Sequence, residues 1–224
     1  MIVTIDGTVG SGKSTAAAGL ARRLGAAHLD TGAMYRALTL KALDTAANLE
    51  DAEALAALAS ASVIELDGAP GTGRVRLDGK DVTQAIRENR VSVSSHYLAS
   101  QAAVRKVLVQ KQREFAARVG HLVTEGRDQG TVAFPDAEVK FFLDAAPEVR
   151  ARRRHLELQQ RGEYRSYREI LKEIAERDRR DSTRAADPLR PAEGAIRVDT
   201  TNLTVDEMID TLAAEAERRR RGTT

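Results

Sequence analysis

The stretch from Ile2 to Thr15 constrains the fold of this chain more than any other part of the sequence. A short apolar run leads into a glycine-rich turn, and the residues that follow are typical of a helix start. The turn has the spacing Gly7-x-x-x-x-Gly12-Lys13-Ser14, which satisfies the P-loop pattern G-x-x-x-x-G-K-[ST]. Glycines at 7, 10 and 12 allow the positive φ angles that turn successive backbone N–H groups toward an anion. The motif predicts a phosphate site, in which Lys13 reaches the β- and γ-phosphates and Ser14 ligates Mg²⁺.

The elements on either side of the turn support this interpretation. Apolar residues recur at helical spacing from Lys13 to Leu24, and Gly25 follows where a helix C-terminal glycine belongs. The N-terminus of that helix would point its free N–H groups at the same anion. A chance glycine-rich turn would not bring the Lys-Ser pair and both flanking elements into agreement.

Composition excludes several other functions. The 224 residues contain no cysteine, which excludes disulfides, thiolate metal sites and cysteine catalysis. No apolar run approaches the ~18 residues of a membrane span, and no basic region precedes an apolar one at the N-terminus, so we expect a cytoplasmic protein without membrane association. The net charge is only +2 and aromatic residues are 4% of the chain, so we expect no nucleic-acid binding. No feature requires more than a monomer.

Apolar runs typical of buried strands alternate with helical segments along the chain. This alternation predicts a P-loop NTPase-type α/β fold, with a parallel sheet of about five strands and helices on both faces. The strands are expected at residues 2–5, 26–30, 121–125, 139–143 and 195–198. Residues 62–87 contain short runs around the turn signal Asp78-Gly79, which predict a small antiparallel sheet inserted into the chain. Residues 88–120 return to helical periodicity, and Ser166-x-x-Glu169 is the capping signature of a later helix.

Ligands of a parallel sheet bind at the carboxyl ends of its strands, where two further polar segments are expected. In the first, the Thr31 hydroxyl and the Arg36 fork could hold a second phosphate; the alternative is a helix N-cap followed by a surface arginine. In the second, Arg127 and Asp128 face the same cleft, unless they form a local ion pair within the loop. Glu125, at the end of that strand, could supply a carboxylate that contacts Mg²⁺ indirectly.

A cluster of arginines lies in the last third of the chain. Arg177, Asp181 and Arg184 have the spacing i, i+4, i+7 and would share one face of a helix, either as part of a binding site or as a surface salt-bridge ladder. A preceding set also has helical spacing, and it forms either a solvated face or a mobile phosphate clamp: Arg150, Arg153, Arg154 and Arg161.

Taken together, these segments resemble the bacterial cytidylate kinases, which are P-loop nucleoside monophosphate kinases. The resemblance covers nearly the whole chain. Its motifs are IDGTVGSGKS at 5–14, DTGAMYR at 30–36, GRDQGTVAFPDA at 126–137, KFFLDA at 140–145 and ERDRRDSTR at 176–184. The third and last of these are specific to the family, and the insert at 62–87 is similar to the small sheet that marks its bacterial members.

The resemblance implies transfer of the γ-phosphoryl group of ATP to CMP or dCMP, with Mg²⁺ as the cofactor. It also implies a division of the chain into a core at 1–36, 106–149 and 167–224, a monophosphate-binding domain at 37–105, and a lid at 150–166. Closure of such a lid excludes water from the reaction. Phosphoryl transfer depends on positioning and charge stabilisation, so several arginines around the two nucleotides are expected.

Roles for individual residues follow from the same resemblance. Those implied for ATP are Gly7, Thr8, Val9, Gly10, Ser11, Gly12, Lys13, Ser14 and Thr15 of the P-loop, with Arg150, Arg153 and Arg154 of the lid. Those implied for the CMP phosphate are Thr31, Arg36, Arg127, Arg177 and Arg184, while Asp181 would bind the sugar hydroxyl. Arg105 and Asp128 would read cytosine, because an arginine donor and a carboxylate acceptor match its edge. Within this set, Lys13, Arg127, Arg177 and Arg184 would be catalytic.

Three alternatives stay open at this point. A serine that contacts the base in the family falls at Ser95 by residue type and at His96 by counting back from Arg105. The acceptor could be UMP or a small metabolite, as in a shikimate-type kinase, rather than CMP. The chain could also be a P-loop module that binds nucleotide without catalysis, although an arginine-lined second site argues against that class.

Overall fold

A computed structural model describes residues 1–71, 73–160 and 162–222. Its strands are β1 (Ile2–Gly7), β2 (Ala27–Asp30), β3 (Ile64–Leu66), β4 (Val75–Leu77), β5 (Lys80–Asp81), β6 (Leu122–Gly126), β7 (Val139–Asp144) and β8 (Ile196–Asp199). Its α-helices are α1 (Lys13–Leu24), α2 (Thr31–Asp44), α3 (Ala52–Ala61), α4 (Asn89–Ser100), α5 (Ala102–Val119), α6 (Pro147–Gln160), α7 (Tyr167–Thr183) and α8 (Val205–Gly222). A 3₁₀ turn spans Ala85–Arg87, and a π-helical turn spans Gln129–Ala133.

The main sheet is parallel, and β1 lies at its centre. Among the described residues it has five strands, in the order β2-β6-β1-β7-β8. Asp6 of β1 is paired with Gly126 of β6, and Asp30 of β2 is paired with Glu125. The carboxyl ends of β1, β2 and β6 therefore meet at one edge of the sheet, which is where ligands of this fold class bind.

Helices cover both faces of the sheet, and its central strands β1 and β6 are buried on both sides. On one face, α1 and α8 pack over Val3, Ile5 and Phe141 through Leu20 and Leu212. On the other face, Leu38 of α2, Leu55 of α3 and Leu108 of α5 share one core with Leu29 of β2 and with Phe134, which follows the π-helical turn. The α/β architecture expected from the sequence is confirmed.

The small sheet is antiparallel, and its strands β3, β4 and β5 are joined as predicted within residues 62–87. Its second turn has positive φ at both Asp78 (50°) and Gly79 (80°), the conformation that Asp-Gly turns favour in hairpins. Val75 and Ile86 bury this insert against Ala37 and Leu40 of α2.

Local signals placed most helix boundaries correctly. Helix α1 spans the predicted residues, and Gly25 ends it with φ 62°. The capping box of Ser166 and Glu169 is present at the start of α7. The helical stretch at 88–120 is divided in two, because Gln101 is extended between α4 and α5. The shared helical face predicted for Arg177, Asp181 and Arg184 is wrong at its last member, since α7 ends at Thr183 and Arg184 is extended.

Helices α6 and α7 pack against each other through a separate small core of Ala151, Leu158, Ile170 and Ile174. Arg161, which falls between them, lies outside the described residues. None of the described helices has the length and apolar character that crossing a bilayer requires.

Candidate active site

The P-loop connects the central strand to α1, and its glycines have the backbone angles that the motif predicts. The φ angles of Gly7, Gly10 and Gly12 are 151°, 75° and 90°. A Cβ atom on Gly7 would lie 1.9 Å from the carbonyl oxygen of Leu143, so this position also requires glycine for close approach to β7. Lys13 is buried, and its Nζ donates to the Thr8 carbonyl at 2.5 Å. The backbone of the loop thus binds the side chain of its own lysine.

Arg150 holds the outer side of this loop. Its side chain is buried, with Nε donating to the Ala145 carbonyl at 2.8 Å and Nη1 donating to the Val9 carbonyl at 3.0 Å. Asp178 of α7 pairs with the same guanidinium at 2.6 Å. Arg150 is therefore fixed against the P-loop backbone, which ties the loop to the α6–α7 pair.

The other two arginines predicted for ATP lie farther along α6. Arg153 donates to the hydroxyl and the carbonyl of Thr200, and Arg154 pairs with Glu157 at 2.9 Å. The Thr200 hydroxyl in turn donates to the Ser11 carbonyl at 3.0 Å. Arg153 is thus linked to the P-loop through one intermediate residue, while Arg154 is partly exposed.

Ser14 and Glu125 meet beside the P-loop, as the sequence predicted. The Ser14 hydroxyl donates to Glu125 Oε1 at 2.6 Å. No cluster of three or more His, Asp or Glu side chains within the described part of the chain could hold a metal by itself. A hydroxyl backed by one carboxylate fits Mg²⁺, which prefers oxygen ligands and keeps waters and substrate phosphates in its shell.

The segment after β2 is the start of α2. Asp30 caps this helix by accepting from the Ala33 N–H, so the N-cap alternative is correct in its geometry. The same carboxylate pairs with Arg36 at 3.0 Å, and the Arg36 side chain is only 25% exposed, so it is not a free surface arginine. The Thr31 hydroxyl is buried and donates to the Glu125 carbonyl at 2.7 Å.

A group of cations gathers opposite the P-loop. Arg127 Nε donates to Asp181 Oδ2 at 2.8 Å, which joins the loop after β6 to α7. Arg177 lies close to Arg127 and Arg36, and within the described residues it makes no ion pair or hydrogen bond of its own. Burial and then Arg127 lower the pKa of Arg177 to about 10. A partly buried guanidinium beside like charges, without a carboxylate of its own, is an arrangement that an anion would stabilise.

The two residues predicted to read cytosine form one buried unit. Arg105, at the start of α5, is 2% exposed and pairs through Nη2 with Asp128. Its Nη1 donates to the Ala99 carbonyl at 3.2 Å, and its guanidinium lies 6.0 Å from the centre of the Tyr35 ring. Burial raises the pKa of Asp128, and Arg105 opposes that effect.

Ser95 and His96 are neighbours on α4, and both side chains interact with main-chain carbonyls of the same helix. The Ser95 hydroxyl donates to the Ser92 carbonyl at 2.9 Å, while His96 Nδ1 lies 2.7 Å from the Val93 carbonyl and its ring stacks on Tyr97. The choice between them for the base stays a prediction.

Two residues of this site, Asp6 and Asp187, have no role in the predictions made from the sequence. Asp6 is buried at the end of β1 and accepts from the N–H groups of Gln129 and Gly130, at 2.8 Å each, so it fixes the turn that carries Asp128. Asp187 pairs with Arg105 at 2.7 Å and accepts from Arg184 through its carbonyl. The signal for Asp6 was a carboxylate ending an apolar run; Asp187 gave no signal beyond standing before a proline.

The charged residues beside the P-loop and the arginines of the loop after β6 and of α7 influence the pKa of Lys13. Burial, followed by Arg127, lowers the pKa of Lys13 to about 7, and Arg177 adds to this effect. Burial and Asp30 raise the pKa of Glu125, and burial raises the pKa of Asp6 to about 7. Lys13, Arg127 and Arg177 are therefore close enough for the two arginine charges to disfavour the charge on the lysine.

Comparison with known proteins identifies the family of the chain. The family model described as cytidylate kinase matches residues 3–218. The cytidylate kinase of Caldanaerobacter subterraneus subsp. tengcongensis is 48% identical over 208 residues, which are 93% of this chain and 91% of that protein. That of Pelotomaculum thermopropionicum is 46% identical over 220 residues, covering 98% and 97%. Among solved structures, TT1252 from Thermus thermophilus is 23% identical, with a TM-score of 0.49 and coverage of 97% of both chains.

Proposed function

The chain belongs to the cytidylate kinase family, and from this premise we propose how its cleft carries out the reaction. The enzyme is an ATP-dependent phosphotransferase that converts CMP or dCMP to the diphosphate. The observation that supports the proposed acceptor end is a group of neighbouring cations: Arg36 and Arg127 act on Arg177, and Arg127 and Arg177 act on Lys13.

At the donor end, ATP phosphates bind in the loop formed by residues 7–15. The N–H groups of the loop and the start of α1 surround the β-phosphate, and Lys13 leaves the Thr8 carbonyl to contact the β- and γ-phosphates. The Ser14 hydroxyl, backed by the Glu125 carboxylate, would hold Mg²⁺, and the ion would supply neutralisation of the phosphate charge. Arg153 and Arg154 contact ATP when the part of α6 beyond Arg150 moves toward the loop, while Arg150 stays in place and supports the loop through the Val9 carbonyl.

At the acceptor end, the CMP phosphate lies among the cations. Thr31, Arg36, Arg127, Arg177 and Arg184 hold it so that one of its oxygens points at the γ-phosphorus of ATP, and Asp181 binds the sugar hydroxyl. Little proton transfer is required, because the reaction depends on alignment and on neutralising the charge of the transferred group. Arg127 and Arg177 stay protonated at neutral pH and supply that charge.

The base lies against the Arg105–Asp128 unit, with Ser95 or His96 of α4 on its other side. An ionised Asp128 accepts from the exocyclic amine of cytosine, and Arg105 donates to its ring acceptors. Uracil offers a carbonyl where cytosine offers the amine, so this pair disfavours UMP. In this scheme residues 37–105 move as the monophosphate-binding domain, residues 150–166 move as the lid, and the enzyme acts as a monomer.

A coupled assay of ADP formation over CMP, dCMP, UMP, AMP and GMP tests the proposal, with Mg²⁺ present and then chelated. We expect CMP and dCMP to be used at least tenfold better than UMP, a ratio that one matched hydrogen-bond pair can provide. Asp128→Asn should reduce that ratio, because an amide can also donate to the uracil carbonyl. A clear preference for UMP or AMP would refute the cytosine assignment, and tight ATP binding without ADP formation would indicate a binding module.

A further inference from the structure

Asp187 lies between the arginine that faces the base and an arginine that faces the phosphate. Its carboxylate Oδ2 accepts from Arg105 Nε at 2.7 Å. Its main-chain carbonyl accepts from Arg184, at 2.7 Å from Nε and also from Nη2. One residue in the loop after α7 therefore contacts both halves of the acceptor site.

The backbone of this loop fixes those two directions. Asp187 has φ 48°, in the left-handed region, which aspartate tolerates better than most residues. Pro188 follows it and restricts its conformation further. The Leu189 N–H then donates to the Asp181 carbonyl at 2.8 Å, which ties the loop back to α7. The carbonyl and the carboxylate of Asp187 are thus held toward different arginines by the chain itself.

Arg105 depends on this contact for its orientation. Its three nitrogens are bound by three different groups: Nη2 by Asp128, Nη1 by the Ala99 carbonyl and Nε by Asp187. Asp128 is itself an acceptor for the substrate, so only Asp187 and Ala99 can fix the guanidinium plane while Asp128 turns to the base. The Asp187 side chain is 33% exposed and lines a cavity of about 670 Å³ together with Arg105, so its polar tip has room for a neutral replacement.

We propose that Asp187 is a positioning residue that sets the affinity for CMP. Its carboxylate fixes the plane of the Arg105 guanidinium, and its main-chain carbonyl fixes the position of the Arg184 guanidinium. This role rests on the proposed function, because it assumes that Arg105 faces the base of the acceptor. ATP lies at the other end of the cleft, so its affinity does not depend on Asp187.

The test uses Asp187→Asn and Asp187→Gly, both of which tolerate the left-handed backbone and keep the carbonyl that Arg184 contacts. We expect the KM for CMP to rise about tenfold in Asp187→Gly, which removes the charge-assisted hydrogen bond. The rise should be smaller in Asp187→Asn, whose amide oxygen can still accept from Arg105, and kcat and the KM for ATP should stay within about twofold of wild type in both. The matched control is Asp78→Asn. Asp78 also has left-handed φ (50°) and pairs with a cation, Lys41 at 2.7 Å, but lies in the inserted sheet.

A double-mutant cycle separates positioning from a general structural effect. In an Arg105→Lys background the Nε donor is gone, so Asp187→Gly should change the KM for CMP by no more than about twofold. The role of Asp187 is refuted if the variant behaves like Asp78→Asn, or if its full effect persists without Arg105. If the wild-type chain does not phosphorylate CMP, the proposed function fails and this role falls with it; normal wild-type turnover with an unchanged Asp187→Gly refutes the role alone.

Discussion

Replacing Arg177 by methionine should stabilise the nucleotide-free protein while it removes most of the activity. The Arg177 guanidinium lies beside Arg127 and Arg36, and its pKa is lowered to about 10. Against an ordinary value of about 12.5, this makes the charged form about 3 kcal/mol less favourable in the folded chain than in the unfolded chain. At pH 7 the group is protonated in both states, so the whole penalty opposes folding.

Methionine keeps an unbranched apolar side chain at this position, so we expect little loss of packing energy to offset the gain in stability. After allowance for the partial exposure of Arg177, we expect a gain of about 1–2 kcal/mol in the free energy of unfolding, or about 4 °C in Tm. Turnover of CMP should fall by about 10²-fold or more, because a cation that faces the transferred phosphate is lost.

Thermal and urea unfolding without nucleotide, together with the coupled kinase assay, measure both quantities. Arg180→Met is the matched control, since Arg180 is an exposed arginine on the same helix. It should change neither stability nor turnover beyond the experimental error. A loss of stability in Arg177→Met larger than that of the control would refute the reasoning, because it would mean that Arg177 stabilises the fold rather than an anion.

Further predictions concern the P-loop and the helix that follows it. Gly7→Ala should lower the free energy of unfolding, measured in urea, by about 4 kcal/mol or more, because its Cβ would overlap the Leu143 carbonyl. Gly25→Ala should lower it by only about 1 kcal/mol, because its Cβ would meet open space, and equal losses in the two variants would contradict this reasoning. ATP binding at pH 7 should take up about half a proton, because phosphate raises the pKa of Lys13 from about 7, and calorimetry in buffers of different ionisation enthalpy should show this dependence in wild type but not in Lys13→Arg. Arg150→Met should raise the KM for ATP about tenfold and leave that for CMP nearly unchanged, in steady-state kinetics; parallel changes in both constants would exclude a specific role at Val9.

The parts of the site that the sequence predicted are those set by local rules. The P-loop, α1 and its terminal Gly25 follow from a glycine pattern and a helical period within 25 residues. The meeting of Ser14 with Glu125 follows from topology, because parallel strands bring their carboxyl ends to one edge of the sheet.

What could not be predicted depends on contacts between distant residues. Asp187 acts through Arg105, 82 positions earlier, and Asp6 binds the turn at Gln129, 123 positions later. The burial of Arg150 could not be read from helical spacing, since the same spacing suits a solvated face. Arg184 could not be placed, because the end of α7 at Thr183 is decided by the loop that follows it.

The order of strands also determines when the P-loop can form during synthesis. Residues Ile2–Asp6 pair with Leu122–Gly126, and Val3–Gly7 pair with Val139–Leu143, so β1 has no sheet partner until more than a hundred further residues have been made. At about 5–20 residues per second, the strand waits on the order of 10 s for its neighbours. Its long-range pairing also makes folding slow relative to helical proteins of similar size. The loop that follows β1 therefore acquires its structure only after the chain has been made as far as β7.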